Sequence, residues 1–384
     1  MFKERIRMID KWLFIPFVAL LLFSIIMIYS ASTYSALEDY GQANYYLIRQ
    51  TAYVLVSFII ATITYFLSFR LIKGKKFIQC ITIIVFILLI WVLFTPEVLG
   101  ASRWIRMPGF NIQPAEFAKL FVILYLAYIF SRNQEGIETR FKEIVLRPGL
   151  LVAFVAVLVL IQPDTGTFII ISAIILLLLF SSGISLKYGF VFFSVASLLV
   201  VLVVYIIYNF GEHLPFLDYR YERFLGWFDP FGNYETEGHQ LVNSYYALNR
   251  GGMFGVGIGN SVQKTGYLPF PYTDFILAIV GEGLGLVGIA FVLGSLGLII
   301  GRSFYIGSRS EDSFVSLLCL GVGGMLLVQS LVNMAGVTGV LPITGVTFPF
   351  LSYGGSSLLT VSLSVALVAN VSTLEKMKNK IKKT

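Results

Sequence analysis

The chain has 384 residues, of which 57% are hydrophobic and 13% are charged, and its mean hydropathy is +0.84. Soluble domains carry about twice that fraction of charged residues, so the composition excludes an ordinary soluble protein and indicates a polytopic membrane protein. The formal net charge of +7 does not indicate nucleic-acid binding, because the basic residues lie in short runs that flank apolar segments.

Ten apolar segments approach the length of about 20 residues that a helix needs to cross a membrane. They cover residues 12–31, 51–69, 77–95, 114–131, 149–162, 167–183, 188–209, 274–301, 313–334 and 353–372. The pattern predicts an all-α polytopic membrane protein with about ten transmembrane helices. The fifth and sixth segments are short and are separated by the sequence QPDTG, so two tilted helices and a re-entrant hairpin both remain open.

The distribution of Lys and Arg predicts the orientation. If the N-terminus is inside, the inner segments hold 20 of these residues and the outer segments hold 7. Positive residues concentrate on the cytoplasmic side of membrane proteins, so we expect both termini in the cytoplasm. We therefore predict a single membrane domain over residues 1–384, with a large extracytoplasmic loop at 210–273, between helices 7 and 8, and a basic cytoplasmic tail at 373–384.

The stretch from Gly238 to Glu282 begins in polar loop sequence and ends in an apolar helix. Asp274 lies at that junction, and we expect it in the first helical turn. A charge within hydrocarbon is costly, so such an acid must be solvated, paired or chemically active. Stabilisation of the helix N-terminus is the structural alternative to a chemical role.

A second polar cluster precedes the fourth apolar segment. Arg103 and Arg106 flank Trp104, and they either anchor the chain at lipid headgroups or bind a phosphate, whose geometry suits a guanidinium group. Glu116 and Lys119 are i,i+3 neighbours on one helix face and are expected to pair. That pair is either a structural ion pair or part of a functional site.

Two further clusters fall at the same predicted side of the membrane. Asp164 follows a short span, where it either caps the next helix or belongs to a site. Residues 341–357 interrupt an apolar region with prolines, glycines and hydroxyl residues, and irregular backbone at membrane depth must be buried or line a cavity. Acids, bases and broken backbone on the outer face favour a site for a lipid-linked substrate over an ion carrier, whose charges lie nearer mid-span.

Several motifs, in chain order, resemble those of the SEDS family (shape, elongation, division, sporulation). They are GASRWIR, NIQPAEFAKL, QPDTGT, QLVNSYYAL, GGMFGVGIGNSVQKTGYLP, TDFILAIVGE and LPITGVTFPFLSYGGSS. The resemblance covers nearly the whole chain, and the motif sequences are more similar to those of the division members of the family than to those of the rod-shape members. It implies a ten-helix glycosyltransferase that polymerises lipid II into peptidoglycan strands outside the cytoplasmic membrane, beside a class B penicillin-binding protein of the divisome or elongasome.

The resemblance also implies roles for residues. The essential aspartate of the family matches Asp274, which becomes the candidate base for the acceptor hydroxyl. The family's intramembrane pair matches Glu116 and Lys119. Other site candidates are Asp164 and Glu282. The candidates for binding the substrate and its pyrophosphate are Arg103, Arg106, Arg250, Lys264, Ser352 and Ser356.

The chain departs from the family pattern on each side of Asp274. The family usually has an acid where this chain has Phe270, and a second acid where it has Gly283. The resemblance implies no organic cofactor, and a divalent cation such as Mg²⁺ or Mn²⁺ on the pyrophosphate stays open. Two other functions also stay open: a flippase for lipid II, and a non-catalytic scaffold for the penicillin-binding protein, in which Asp274 would be dispensable.

Overall fold

The computed structural model describes residues 2–97, 102–107, 109–134, 140–211 and 218–381. Within these residues the helices are α1 (Phe2–Arg7), α2 (Lys11–Tyr40), α3 (Tyr45–Phe66), α4 (Phe69–Ile72), α5 (Lys75–Val92), α6 (Pro114–Arg132), α7 (Arg147–Ile161), α8 (Thr165–Ser181), α9 (Leu186–Phe210), α10 (Asp218–Phe228), α11 (His239–Gly251), α12 (Ile276–Arg309), α13 (Ser313–Val337) and α14 (Gly355–Ile381). Strands β1 (Ile105–Met107) and β2 (Phe110–Ile112) form an antiparallel pair.

Each apolar segment predicted from the sequence coincides with a helix. Eight helices of the described chain are long and apolar enough to cross a membrane, counting α7 together with the π-helical turn Lys142–Leu146 before it. Helix α8 is apolar but has only 17 residues, and α9 has 25 residues. The QPDTG sequence separates α7 from α8 as two helices, and the exact number of ten spans stays a prediction.

Three features of the fold differ in detail from the sequence-based picture. The short hairpin of β1 and β2 interrupts an otherwise helical chain. The predicted outer loop at 210–273 is itself partly helical, because it contains α10 and α11. Helix α14 continues through most of the predicted tail as far as Ile381.

Helices α6, α13 and α14 form the centre of the bundle. About three quarters of their membrane-spanning windows are buried, 78%, 72% and 78% respectively, against 22% for both α3 and α5. Glycines on α13 allow close packing, since a Cβ on Gly321 would lie 2.7 Å from Ile123 and one on Gly324 would lie 2.7 Å from Leu177. Polar residues on the central helices are therefore shielded from lipid.

A buried carboxylate, Asp10, joins the first long helix to two of the last three. Its side chain accepts hydrogen bonds from Arg302 of α12 at 2.8 and 3.0 Å, and from Lys376 of α14 at 2.9 Å. Ser372 donates to the same oxygen at 3.0 Å, and Trp12 N donates to the other oxygen at the start of α2. The residue is 1% exposed, so its charge is stabilised by these partners rather than by solvent.

Helix α12 is broken at Gly285, whose φ of +67° and ψ of −160° are outside the helical region. The segment 252–257, which follows α11, crosses this break and supplies backbone partners. Val256 N donates to Glu282 O at 2.9 Å, and Leu286 N donates to Gly252 O at 3.0 Å. Main-chain groups freed by the break are thus paired, as burial near a membrane requires.

We expect Gly251→Ala to destabilise this crossing. A Cβ on Gly251 would lie 1.9 Å from the carbonyl oxygen of Gly281, a backbone atom that cannot rotate away. Overpacking of this kind costs about 1–3 kcal/mol, so the midpoint of thermal unfolding in detergent should fall. Gly259→Ala is the matched control, because nothing lies within 4 Å of its Cβ position. Equal midpoints for both variants would contradict the prediction.

Candidate active site

Asp274 lies two residues before α12, which begins at Ile276, so its predicted position in the first helical turn is wrong. Its carbonyl oxygen accepts a hydrogen bond from Asn333 Nδ2 at 2.7 Å, and the helical ladder starts one residue later, at Phe275 O. The carboxylate does not cap α12; instead it accepts a hydrogen bond from Thr273 Oγ1 at 2.8 Å. Helix capping therefore does not account for the aspartate.

The Asn333 amide joins the two irregular segments that meet at the site. Its Nδ2 also donates to Val346 O at 2.7 Å, so one side chain holds the backbone before α12 against the backbone before α14. A small cleft, with a volume of about 10 Å³, lies here. The residues that line it are Asp274, Phe275, Asn333, Gly336, Val337, Ile343, Thr344, Gly345 and Val346.

Burial raises the pKa of Asp274 above the usual value for an aspartate. The hydrogen bond from Thr273 and the positive charge of Arg223 act in the opposite direction and limit the increase. A carboxylate with a raised pKa is a stronger base than an exposed one, which suits it to accept a proton from a hydroxyl group.

Tyrosines support the chain just before the aspartate. Tyr272 OH donates to Tyr46 OH at 2.9 Å, and Tyr353 N donates to Tyr272 O at 2.9 Å. The rings of Tyr46 and Tyr272 are 4.4 Å apart between centroids. These contacts fix the segment that carries Asp274 to α3 and to the residues that precede α14.

The two arginines of the GASRWIR motif occupy different environments. Arg103 donates through Nε to Gln162 O at 3.3 Å and through Nη2 to Pro163 O, at the turn between α7 and α8. Arg106 lies on β1 opposite Asn111 and its side chain is exposed. Only Arg103 is therefore held in a fixed orientation by these main-chain bonds.

Arg250, Lys264 and Glu282 belong to a second cluster, at the crossing of α12. The fully buried Glu282 carboxylate pairs with Arg250 at 3.3 Å and accepts hydrogen bonds from Ser261 Oγ at 2.5 Å and from Val262 N at 2.9 Å. Lys264 Nζ donates to Ile258 O at 2.7 Å and to Ser30 Oγ at 3.1 Å. These bonds organise the loop, and burial lowers the pKa of Lys264.

Glu116 and Lys119 form the buried ion pair expected from their spacing. Lys119 Nζ lies 2.9 Å from the Glu116 carboxylate and donates to Gln329 Oε1 at 2.8 Å. Gln329 Nε2 in turn donates to Thr347 O at 3.0 Å, and the Thr347 and Ser357 hydroxyls lie 2.7 Å apart. The pair is thereby connected to the irregular segment that borders the Asp274 cleft.

The other predicted site residues make structural contacts. Asp164 caps α8 by accepting from Thr167 N at 3.1 Å, and its second oxygen accepts from Gln113 Nε2 at 2.9 Å. Ser356 Oγ accepts from Gln113 N at 3.0 Å and donates to Asn111 O at 3.0 Å. Ser352 Oγ accepts from Phe348 N at 2.7 Å within its own turn.

Gln329, Asn333 and Arg223 also lie at the site, although their sequence positions were not predicted to belong to it. Gln329 and Asn333 are i,i+4 neighbours on α13, and two amides at that spacing in an apolar span were a signal that could have been used. Arg223 is one of several charges in the predicted outer loop, and its sequence context does not distinguish it from the others. Over the residues that the structure describes, no group of three or more His, Cys, Asp and Glu side chains could hold a metal ion.

The fold and the site define a class: a polytopic helical membrane protein with a base candidate in a cleft at one end of the bundle. Residues 11–377 match the family model described as "Cell cycle protein", which covers FtsW, RodA and SpoVE. The chain therefore belongs to the FtsW/RodA/SpoVE family, the SEDS family that its motifs resemble.

Individual relatives agree with this assignment. The chain is 36% identical to the "Probable peptidoglycan glycosyltransferase FtsW" of Bacillus subtilis, over 100% of this chain and 95% of that protein. It is 40% identical to the protein of the same name from Lactococcus lactis, over 94% and 92% of the two chains.

Solved structures show the same fold. A chain from the structure titled "Structural coordination of polymerization and crosslinking by a peptidoglycan synthase complex" matches with a TM-score of 0.75 and 26% identity, covering 95% of this chain and 97% of that one. The rod shape determining protein RodA of Thermus thermophilus matches with a TM-score of 0.67 and 24% identity, over 95% and 96%.

Proposed function

We propose that this protein is a peptidoglycan glycosyltransferase that polymerises lipid II into glycan strands for septal cell-wall synthesis. The family assignment and the names of the FtsW relatives support the reaction class. The observation that carries the proposal is Asp274, a carboxylate with a raised pKa that is held in a cleft between two irregular segments. Its position two residues before α12 corresponds to the outer surface of the membrane in the orientation predicted from Lys and Arg.

The reaction assigns a separate task to each kind of group. The hydroxyl oxygen of the acceptor sugar attacks the anomeric carbon of the donor, while Asp274 accepts the hydroxyl proton. The bond between that carbon and the diphosphate oxygen breaks, and its electron pair leaves with undecaprenyl pyrophosphate. Positive side chains stabilise the departing charge. Of the predicted positive residues, Arg103 is the strongest candidate for this role, because Arg250 and Lys264 are bonded within the Glu282 cluster.

Membership of the family also supports proposals for the location of the protein, its partner and its supporting residues. We expect the protein to act in the bacterial cytoplasmic membrane with a class B penicillin-binding protein that cross-links the strands, a partnership compatible with the peptidoglycan synthase complex among the similar structures. A divalent cation, if the reaction uses one, is expected to accompany the pyrophosphate of the substrate. Glu116 and Lys119 are assigned a supporting role, since they are connected to the cleft through Gln329 and Thr347.

Purified protein, incubated with lipid II and its cognate class B partner, tests the proposal. We expect glycan polymers on a gel, and none from the partner alone. In parallel, fluorescent lipid II in proteoliposomes reports movement between leaflets. Movement of lipid II without polymer would indicate a flippase instead of a transferase. The absence of both activities would favour a non-catalytic scaffold.

Asp274 must be ionised to act as a base, so the polymerisation rate should fall when the pH drops through its pKa. Because burial raises this pKa, this acidic limb of the pH–rate profile is expected at a pH above the usual aspartate pKa of about 3.9. Thr273→Val removes a hydrogen bond that lowers this pKa, so the pKa should rise and the limb should move to higher pH. Thr265→Val is the control, because its hydroxyl bonds to Val262 O on the exposed surface. An unchanged limb in Thr273→Val would contradict the assignment of the base.

A further inference from the structure

A cavity with a volume of about 300 Å³ lies at the end of the bundle opposite the Asp274 cleft. It is bounded by the last turn of α12, the first turn of α13, α4 and α14. In the orientation predicted from Lys and Arg, this is the level of the cytoplasmic headgroups. None of the residues assigned to glycosyl transfer lines it. The lining residues are Phe69, Arg309, Glu311, Asp312, Val315, Val371, Leu374, Glu375 and Lys378.

The lining changes from apolar to charged in the direction that leads out of the membrane. Helix α14 contributes four residues spaced i, i+3, i+4 and i+7, which places them on one face of the helix. The first two, Val371 and Leu374, are apolar and lie toward the membrane centre. The last two, Glu375 and Lys378, are charged and lie toward the cytoplasm. The cavity therefore has an apolar floor and a charged mouth, as the boundary between acyl chains and headgroups has.

The mouth presents both signs of charge at separate places. The Glu375 carboxylate accepts a hydrogen bond from Ser310 Oγ, a neutral donor. The guanidinium carbon of Arg309 lies 5.3 Å from the centre of the Tyr305 ring. Within the described part of the chain, neither Arg309 nor Lys378 has a carboxylate oxygen within 4 Å. Acid and bases thus border one cavity without pairing with each other.

A second wall of the cavity is a fixed part of the fold. The oxygens of Asp312 accept from Lys73 Nζ at 2.9 and 2.7 Å, and Asp312 also caps the start of α13. Lys73 Nζ lies 5.6 Å from the ring centres of both Phe69 and Phe314. Because its charges are already paired, this wall shapes the cavity rather than binding a ligand.

The cavity suits a ligand that has an anionic group, a cationic group and an apolar part. A phosphate matches Arg309 and Lys378, and a primary ammonium matches the Glu375 carboxylate, in both cases through charge-assisted hydrogen bonds. The volume is at the lower end of the range of about 300–1,000 Å³ found for small-molecule sites. Basic pockets between membrane helices on the cytoplasmic side are known to bind lipid headgroups. A zwitterionic phospholipid with a primary amine combines all three features.

We propose that this cavity binds a phospholipid of the phosphatidylethanolamine type from the cytoplasmic leaflet. Glu375 accepts hydrogen bonds from the ammonium group, while Arg309 and Lys378 bind the phosphate. The glycerol end of the acyl chains lies against Val371 and Leu374. The site does not involve the groups assigned to glycosyl transfer, so it can be tested without measuring polymerisation.

Native mass spectrometry of the full-length protein, released from detergent micelles, measures the affinity for each added lipid. The wild type should bind phosphatidylethanolamine about tenfold more tightly than phosphatidylcholine, whose quaternary ammonium cannot donate an N–H bond to Glu375. Phosphatidylglycerol, which has no ammonium group, should also bind more weakly. Glu375→Gln should lose most of this preference. Lys378→Gln should weaken phosphatidylethanolamine binding about tenfold, in line with the loss of one charge-assisted bond.

Matched controls separate these effects from general damage. Glu38→Gln and Lys76→Gln change exposed residues that do not line the cavity, so both should bind lipid as the wild type does. Leu374→Trp places a larger side chain in the cavity and should weaken phosphatidylethanolamine binding without any change of charge. Ile83→Trp, at a position on α5 that is 60% exposed, should not.

Equal affinities of the wild type for phosphatidylethanolamine and phosphatidylcholine would overturn the proposal, as would an unchanged preference in Glu375→Gln. Phosphatidylglycerol bound as tightly as phosphatidylethanolamine would show that the cavity recognises only the phosphate, which contradicts the role of Glu375. Displacement of the lipid by millimolar free phosphoethanolamine would identify a site for a soluble ligand instead of a lipid.

Discussion

Asp274→Asn is expected to lower the rate of lipid II polymerisation by about 10²–10⁴-fold, the usual contribution of a general base. The amide has nearly the same shape as the carboxylate and can still accept the hydrogen bond from Thr273. The main-chain bond from Asn333 to residue 274 does not involve the side chain and should persist. The substitution therefore removes the proton acceptor and little else.

The stability of this variant distinguishes a chemical defect from a folding defect. A raised folded-state pKa means that the ionised carboxylate destabilises the fold above that pKa, so the neutral amide should be as stable as the wild type or more so at neutral pH. Asp229→Asn is the control, because its exposed carboxylate accepts only a local hydrogen bond from Gly232 N among the contacts described. Polymer from Asp274→Asn at the wild-type rate would remove Asp274 from the mechanism.

Lys119→Met is expected to destabilise the protein by about 3–5 kcal/mol, the cost of leaving one member of a buried ion pair without its partner. Lys119 is 0% exposed and Glu116 is 4% exposed, so solvent cannot compensate. Gln329 would also lose the donor to its Oε1, and through Gln329 the effect should reach Thr347 and the cleft. Both the unfolding midpoint and the polymerisation rate should therefore fall.

The double variant Glu116→Gln/Lys119→Met should recover part of the lost stability, since it leaves no unpaired charge. Lys76→Met, at an exposed position near the start of α5, should have little effect. If the double variant were less stable than Lys119→Met, the penalty would come from lost packing rather than from the uncompensated carboxylate.

The sequence was most informative where the signal is local. Apolar length predicted the helices, because a segment either can or cannot cross a membrane on its own. The spacing of Glu116 and Lys119 predicted their pairing, and the position of Asp164 gave helix capping as one of its two readings. These interactions connect residues within about one turn of each other.

The rest of the site depends on long-range proximity. Arg223 reaches Ile343 across 120 residues of sequence, and Asn333 reaches Asp274 across 59. The i,i+4 amides of α13 mark Asn333 as unusual, but nothing in the local sequence indicates that it contacts the segment of Asp274, and nothing distinguishes Arg223 from the charges around it. Local sequence also could not show that the predicted positive residues lie in two different places. Arg103 lies near Gly345 of the cleft, whereas Arg250 and Lys264 belong to the Glu282 cluster at the break in α12.

The junction at Asp10 has a consequence for biosynthesis. The ribosome makes Asp10 near the start of the chain, but its partners Arg302 and Lys376 emerge only after most of the helices have entered the membrane. Before that, the local hydrogen bond from Trp12 N at the start of α2 is already available to the carboxylate. Asp10 can therefore join α2, α12 and α14 only after α14 has been made, and it does so at the end of these helices opposite the cleft.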